Sequence, residues 1–195
     1  MLQEKLKDHH IILASGSPRR QQFFEELEID FEIRLKPVKE IFPDHLQGEE
    51  ITNYLAELKA AAFDGDLNTG DILITSDTIV WHEGKALEKP KDPAQALEMI
   101  QSLCGKTHEV ITSVCFKTPD TLKTVHAVTR VTFSRLEKDE IVHYIDRYRP
   151  FDKAGAYGIQ EWIGLIGVEH IEGSYFNVVG LPTHLVYQTL LEIAD

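Results

Sequence analysis

Cysteines are scarce in this 195-residue sequence, and long apolar runs are absent. Its two cysteines, Cys104 and Cys115, form no CxxC pair, which argues against a disulfide scaffold or a zinc knuckle. No apolar stretch approaches the roughly 20 residues that a membrane-spanning helix needs. The first ten residues are charged and lack the apolar centre of a signal peptide. We therefore expect a cytoplasmic protein that does not bind membranes.

Positive charge is also in deficit. The chain has 20 Lys and Arg residues against 32 Asp and Glu residues, a formal net charge of −12. Such a charge repels polyanions, so we expect no binding to nucleic acid polymers, although a local basic pocket can still hold one small anion. Hydrophobic residues make up 43% of the chain, enough for a sizeable core, and the length suits a single domain over residues 1–195.

Apolar patterning predicts helices and strands in alternation. Strands are expected over residues 11–14, 31–35, 72–75, 108–116 and 122–133, with a hairpin of 79–81 and 86–87. Helices are expected from Ser17 onward and over residues 51–63, 93–103, 138–148 and 183–193. This order predicts an α/β fold with a mixed sheet, and the strand-rich middle suggests two lobes with a cleft between them.

Residues 15–20, SGSPRR, follow the first predicted strand and lead into the first predicted helix. A helix N-terminus exposes unpaired backbone N–H groups that favour anions. The hydroxyls of Ser15 and Ser17 add donors, and the guanidinium groups of Arg19 and Arg20 suit phosphate oxygens. The segment is either a phosphate-binding loop or a capped helix start with solvated arginines.

Acidic and basic side chains elsewhere could complete such a site. Asp77 follows the strand 72–75, and a carboxylate at a strand end can hold a divalent metal or accept a proton from water. The alternative is a turn aspartate. Glu40, Lys59 and Lys89 could hold metal and neutralise phosphate charge, or each could be an ordinary surface charge.

The loop over residues 152–160, DKAGAYGIQ, places two glycines around a tyrosine and ends at Gln160. The Gln160 amide can donate and accept hydrogen bonds, as reading the edge of a base requires. The alternative is a structural loop with a packed tyrosine. The nine histidines show no metal-ligand spacing, so no metal is assigned to them.

Taken together, six ordered segments resemble the Maf family, and the similarity covers nearly the whole chain. They are LASGSPRR (13–20), SDT (76–78), KPKD (89–92), GKTHEV (105–110), DKAGAYGIQ (152–160) and GSYFNVVGLP (173–182).

The resemblance implies a two-lobed α/β fold, an elongated mixed sheet flanked by helices, and a central nucleotide-binding cleft. It implies hydrolysis of dTTP and UTP to monophosphate and pyrophosphate with Mg²⁺ or Mn²⁺, in a house-cleaning role for the nucleotide pool, and not hydrolysis of 7-methyl-GTP. Modified pyrimidine triphosphates are further candidate substrates. By motif position, Asp77 matches the general base, and Arg19, Thr78 and Gln160 match specificity positions. The other residues matching cleft positions are Ser15, Ser17, Arg20, Glu40, Lys59 and Lys89. Asp77 and Glu40 are the expected metal ligands, a nucleoside triphosphate is the expected partner, and a homodimer is one assembly we consider.

Two residues depart from the family pattern. Lys39 precedes Glu40 where the family usually has an aspartate, and this change could alter metal affinity. Glu161 follows Gln160 where the family usually has glycine, and it could stiffen the loop or repel a triphosphate. Two other hypotheses are a nucleotide-responsive regulator of cell division and a metal-dependent phosphatase for another metabolite.

Overall fold

The computed structural model describes residues 1–194, and among these residues seven strands form one mixed sheet flanked by helices. The strands are β1 (His10–Leu13), β2 (Glu32–Ile33), β3 (Asp71–His82), β4 (Lys85–Leu87), β5 (Thr107–Lys117), β6 (Leu122–Phe133) and β7 (Val168–Glu172). The helices are α1 (Leu2–Leu6), α2 (Pro18–Glu26), α3 (Glu49–Ala61), α4 (Pro93–Leu103), α5 (Lys138–Tyr148), α6 (Trp162–Gly167), α7 (Tyr175–Val179) and α8 (Thr183–Ile193). The strand order is β2-β1-β3-β5-β6-β7, with β4 paired to β3, which confirms the predicted α/β class.

The chain divides into two compact units. The first comprises Met1–Asp77, Thr112–Ala127 and the segment from Gly180 onward, and the second comprises Thr78–Ile111 and Val128–Val179. The boundary therefore falls inside β3, between Asp77 and Thr78. The cleft expected between two lobes stays a prediction.

In the first unit, β1 pairs in parallel with β2 and with β3, and Leu13 lies opposite Ile33 and Ile74. Helix α3 covers these strands with Ala56 and Ala60, which fall on one face at helical spacing, and Phe63 follows shortly after the helix ends. They pack with Ile12, Leu73 and Cys115 in a buried cluster.

In the second unit, local sequence signals fix both long helices. Asp92 caps α4 by accepting a 2.8 Å hydrogen bond from the backbone N–H of Gln95, and Pro93 occupies the first helical position. Glu137 and Glu140 form a capping box at the start of α5. The buried residues include Ile100, Phe133, Tyr144, Tyr157 and Ile163.

Several predicted boundaries are wrong. Strand β3 does not end at Thr75 but continues to His82, because β-branched and apolar residues persist beyond Asp77 and all but two of its side chains are buried. Strand β2 is limited to two residues, Glu32–Ile33, both exposed. Helix α3 begins and ends two residues earlier than expected, at Glu49 and Ala61. Within residues 1–194, no helix has both the length and the apolar character to cross a bilayer.

Candidate active site

Asp77 lies on β3 beyond the point where the parallel neighbour β1 stops. The last β1–β3 pair is Leu13 with Ile74, so β3 extends past the end of β1. Alternate strand residues share a face, and Thr75 donates a 2.7 Å hydrogen bond to the Ala56 carbonyl of α3. Asp77 therefore faces α3 as well, with a side chain only 10% exposed.

Lys59 of α3 meets Asp77 on that face. Its Nζ lies 2.7 Å from Asp77 Oδ1 and 3.3 Å from Glu40 Oε1. It also donates a 3.3 Å hydrogen bond to the Ser76 carbonyl. One ammonium group is thus shared by two carboxylates, and the predicted residues Glu40, Lys59 and Asp77 form a connected cluster.

Arg20 adds a second cation beside Asp77. Its Nε donates to the Gly180 carbonyl at 2.9 Å, and Nη1 donates to the Ser76 carbonyl at 3.1 Å and to Ser15 Oγ at 3.5 Å. Burial lowers the pKa of Arg20 to about 10, against the opposing effect of the Asp77 carboxylate. Arg20 therefore remains charged at neutral pH and ties the start of α2 to the backbone of β3.

The loop before α2 is held by Ser15. The Ser17 backbone N–H donates to Ser15 Oγ at 3.3 Å, and Gln21 Nε2 donates to the Ser15 carbonyl at 3.1 Å. Ser17 occupies the N-cap position and Pro18 the first helical position, as predicted. Arg19 follows in the first turn of α2, partly exposed.

The donor set fits a divalent cation that is bound mainly through substrate oxygens. Asp77 and Glu40 both contact Lys59 Nζ, so their carboxylates lie close together. Residues 1–194 contain no group of three or more His, Cys, Asp and Glu side chains arranged to hold a metal. Mg²⁺ commonly takes one or two carboxylates together with phosphate oxygens and water, which two acids satisfy.

The other predicted residues belong to the second unit. Thr78 follows Asp77 on β3, Lys89 is exposed in the segment between β4 and α4, and Gln160 is exposed just before α6. Their predicted contacts with substrate stay predictions.

Glu161 is bound by two partners that the sequence did not reveal. Its Oε1 lies 3.1 Å from Lys153 Nζ, and its Oε2 accepts a short hydrogen bond from the Tyr144 hydroxyl of α5. The same hydroxyl accepts a 3.0 Å hydrogen bond from the Gly158 backbone N–H. Burial and the neighbouring Glu161 carboxylate raise the pKa of Tyr144. These contacts favour the expectation that Glu161 stiffens the loop.

A buried histidine contacts the tyrosine of the same loop. His108 Nε2 lies 2.7 Å from the Tyr157 hydroxyl, and its ring packs edge-on against Phe133. Burial lowers the pKa of His108 to about 3, with a smaller effect from His82. His108 is therefore neutral under ordinary conditions. A tyrosine placed between Gly155 and Gly158 was the sequence signal for this packing, but its partner was not predicted.

Comparison with known protein families and sequences gives matches over nearly the whole chain. The family model described as Maf-like protein matches residues 10–193. A protein of Flavobacterium johnsoniae named dTTP/UTP pyrophosphatase is 62% identical over 97% of this chain and 98% of the relative. A protein of Christiangramia forsetii with the same name is 62% identical over the full length of both chains. Among solved structures, the Staphylococcus aureus Ham1 protein has a TM-score of 0.49 at 14% identity, covering 92% of this chain and 99% of that chain.

Proposed function

Because the chain belongs to the Maf family, we propose that it is a nucleoside-triphosphate pyrophosphatase that hydrolyses dTTP and UTP to the monophosphate and pyrophosphate. The relatives that carry this name reach 62% identity over nearly the full length of both chains. The observation in the molecule that carries the proposal is the cluster of Asp77, Glu40 and Lys59, which combines two carboxylates with a cation. The activity serves a house-cleaning role in the nucleotide pool.

Asp77 is the proposed general base. Its carboxylate orients a water molecule and accepts its proton while the water oxygen bonds to the α-phosphorus. The bond from the α-phosphorus to the bridging oxygen breaks, and pyrophosphate leaves. Lys59 holds Asp77 in position through their 2.7 Å contact, and this contact restricts the carboxylate to one orientation.

Positive charge supplies the second part of the mechanism. Phosphoryl transfer depends on positioning and on neutralising the charge of the phosphate oxygens. We assign that work to Arg19, Arg20, Lys59 and Lys89, while Ser15 and Ser17 offer hydroxyl donors at the start of α2. Arg20 is supported by its location beside Asp77, and its contacts with Ser76 and Gly180 hold it there.

A divalent cation, Mg²⁺ or Mn²⁺, would be held by Asp77 and Glu40. When bound, such a cation supplies Lewis-acid stabilisation of phosphate oxygens. Lys39 beside Glu40 places a cation where a second acid would strengthen this site, so we expect weak metal binding in the absence of nucleotide.

Gln160 and Thr78 are the proposed determinants of base choice, together with Arg19. An exposed amide that donates and accepts suits the imide edge of uracil or thymine, and it would leave groups unpaired against cytosine. We also propose a cytoplasmic location and a substrate limited to mononucleotides. The net charge of −12 supports the second point because it repels polyanions.

A product assay tests the proposal. The purified protein is incubated with Mg²⁺ or Mn²⁺ and each of UTP, dTTP, CTP and GTP, and monophosphate, pyrophosphate and orthophosphate are quantified. We expect one pyrophosphate per monophosphate and the highest kcat/KM for UTP and dTTP. Orthophosphate as the primary inorganic product would indicate a phosphatase, and binding without turnover would favour a nucleotide-responsive regulator.

A further inference from the structure

Gln160 is an exposed side chain on a tightly fixed piece of backbone. The residues before it, from Gly155 to Ile159, are all buried, whereas Gln160 itself is exposed. An exposed glutamine ordinarily samples several rotamers, and ordering it costs free energy on binding. A backbone held by hydrogen bonds removes the main-chain part of that cost, so the contacts that hold residues 158–161 affect how well Gln160 can recognise a ligand.

The Glu161 carboxylate takes part in a set of connected contacts that hold this backbone. Lys153 binds one carboxylate oxygen at 3.1 Å, and the Tyr144 hydroxyl donates to the other. Tyr144 accepts from the Gly158 N–H at 3.0 Å, so both Gly158 and Glu161 are attached to α5 through one hydroxyl. We call Tyr144, Lys153, Gly158 and Glu161 the loop clamp.

The clamp is nearly closed to solvent. The side chains of Lys153 and Glu161 are 10% and 18% exposed, and Tyr144 is fully buried. Charge-assisted hydrogen bonds in such surroundings are stronger and more directional than exposed ones. Glu161 is therefore held in one geometry, and its backbone N–H bonds the Gly158 carbonyl at 3.0 Å to complete a tight turn around Gln160.

Close packing on both sides of Gln160 leaves the turn little freedom. A Cβ atom added at Gly158 would lie 2.9 Å from the Glu161 carboxylate carbon, and one added at Gly164 would lie 1.8 Å from the Ile159 carbonyl oxygen. The loop clamp therefore packs against the backbone at Gly158, and α6 packs against the backbone at Ile159.

We infer that Glu161 is a positioning residue for base recognition, which sets the geometry of Gln160 through the loop clamp without touching the substrate. This inference rests on the proposed role of Gln160 in reading the base. It predicts that losing the Glu161 carboxylate lowers kcat/KM for UTP and dTTP more than for CTP and GTP. A purely structural role would lower all four alike.

A kinetic double-mutant cycle tests the inference. Glu161→Ala, Gln160→Ala and the double variant are assayed with UTP and CTP, and exposed Glu169 of β7 provides the matched control Glu169→Ala. We expect Glu161→Ala to reduce the UTP-to-CTP ratio of kcat/KM about tenfold, the scale of one lost polar contact, and Glu169→Ala to leave it unchanged. In the double variant, Glu161→Ala should lower that ratio little further than Gln160→Ala alone, because the effects of two residues that act through one another are not additive.

Two further variants keep the inference testable if Glu161→Ala does not fold. Glu161→Gln keeps an acceptor for Tyr144 and should retain part of the discrimination, and Tyr144→Phe should mimic Glu161→Ala by releasing Gly158. Hydrogen exchange of the Gly158 amide should accelerate in Glu161→Ala and Tyr144→Phe.

The outcomes separate the two proposals. If the wild-type protein releases no pyrophosphate, the proposed function fails before any variant is compared. A second outcome is that Gln160→Ala lowers the UTP-to-CTP ratio of kcat/KM while Glu161→Ala leaves that ratio unchanged. In that case the proposed function stands and the positioning role of Glu161 is overturned. A uniform loss in Gln160→Ala, or additive effects in the double variant, also overturns the positioning role.

Discussion

Replacing Asp77 with asparagine removes the proposed base and keeps the shape of the side chain. The asparagine oxygen can still accept a hydrogen bond from Lys59 Nζ, which lies 2.7 Å from Asp77 Oδ1. Lys59 also retains Glu40 at 3.3 Å, so its charge is not left without an acidic partner. We therefore expect Asp77→Asn to fold normally and to lose nearly all turnover.

The loss of stability and the loss of turnover expected for Asp77→Asn differ enough in size to be measured separately. Leaving a buried charge unpaired costs about 3–5 kcal/mol, but a Lys59 ammonium that still contacts Glu40 should cost only about 1–2 kcal/mol. A protein with about 5–15 kcal/mol of stability would remain almost fully folded. Loss of a general base lowers the rate by about 10²–10⁴, or roughly 3–5 kcal/mol in the barrier. Unfolding of the variant therefore cannot produce the expected loss.

Pyrophosphate release from UTP at saturating substrate and Mg²⁺ measures kcat, and thermal unfolding measures the folded fraction. Asp64 offers a matched control, because it forms an ion pair with Lys117 in the same unit and its side chain is 66% exposed. Asp64→Asn should keep wild-type kcat. If Asp77→Asn also keeps near wild-type kcat, Asp77 is not the base, and Glu40 is the next residue to replace.

Three other predictions concern the basic residues, the divalent metal and the buried His108. Lys59→Ala, Lys89→Ala and Arg19→Ala should each lower kcat/KM at least tenfold. Lys89→Ala and Arg19→Ala should leave the melting temperature nearly unchanged, whereas Lys59→Ala should lower it because the buried Asp77 carboxylate loses its ion-pair partner. Unchanged kinetics in all three variants would contradict their proposed role in neutralising phosphate charge. Chelation by EDTA should abolish turnover and added Mg²⁺ or Mn²⁺ should restore it, whereas full activity in EDTA would contradict the proposed metal. Burial lowers the pKa of His108 from 6.5 to about 3, so unfolded chains bind a proton that folded chains exclude. The free energy of unfolding should then fall by a few kcal/mol as pH drops from about 6.5 towards 3, and His108→Gln should flatten this slope in melting curves measured against pH; an equal slope in both proteins would refute it.

Local signals in the sequence predicted some elements to the residue. Helices α4, α5 and α8 and strand β6 have the predicted bounds. For two of them a local signal is visible: α4 begins at Pro93 after the capping residue Asp92, and α5 ends at Tyr148, two residues before Pro150. Strand β3 was predicted too short, since Ser76 and Asp77 resemble a turn in sequence but are buried in the sheet. Burial against other strands decided that case, and the local sequence does not show it.

The candidate site was also predicted only in part. Residue types and motifs identified Asp77, Lys59 and Glu40 individually, but their contact depends on how α3 lies against β3. The loop clamp was missed because Tyr144 occurs on the apolar face of α5 with Ile141 and Ile145, where it looks like an ordinary core residue. Contacts between residues distant in sequence cannot be read from periodicity.

The order of the two units along the chain has a consequence for biosynthesis. The unit that contains residues 1–77 also needs Thr112–Ala127, which carries parts of β5 and β6, and the segment from Gly180, whose carbonyl accepts a hydrogen bond from Arg20. The second unit is complete in sequence once Val179 has been made. The part that is synthesised first therefore cannot complete its core until helix α8 has been made, and Asp77 gains its full surroundings only after the rest of the chain has been synthesised. A purified chain truncated after Val179 should accordingly protect residues 128–179 from protease better than residues 1–77.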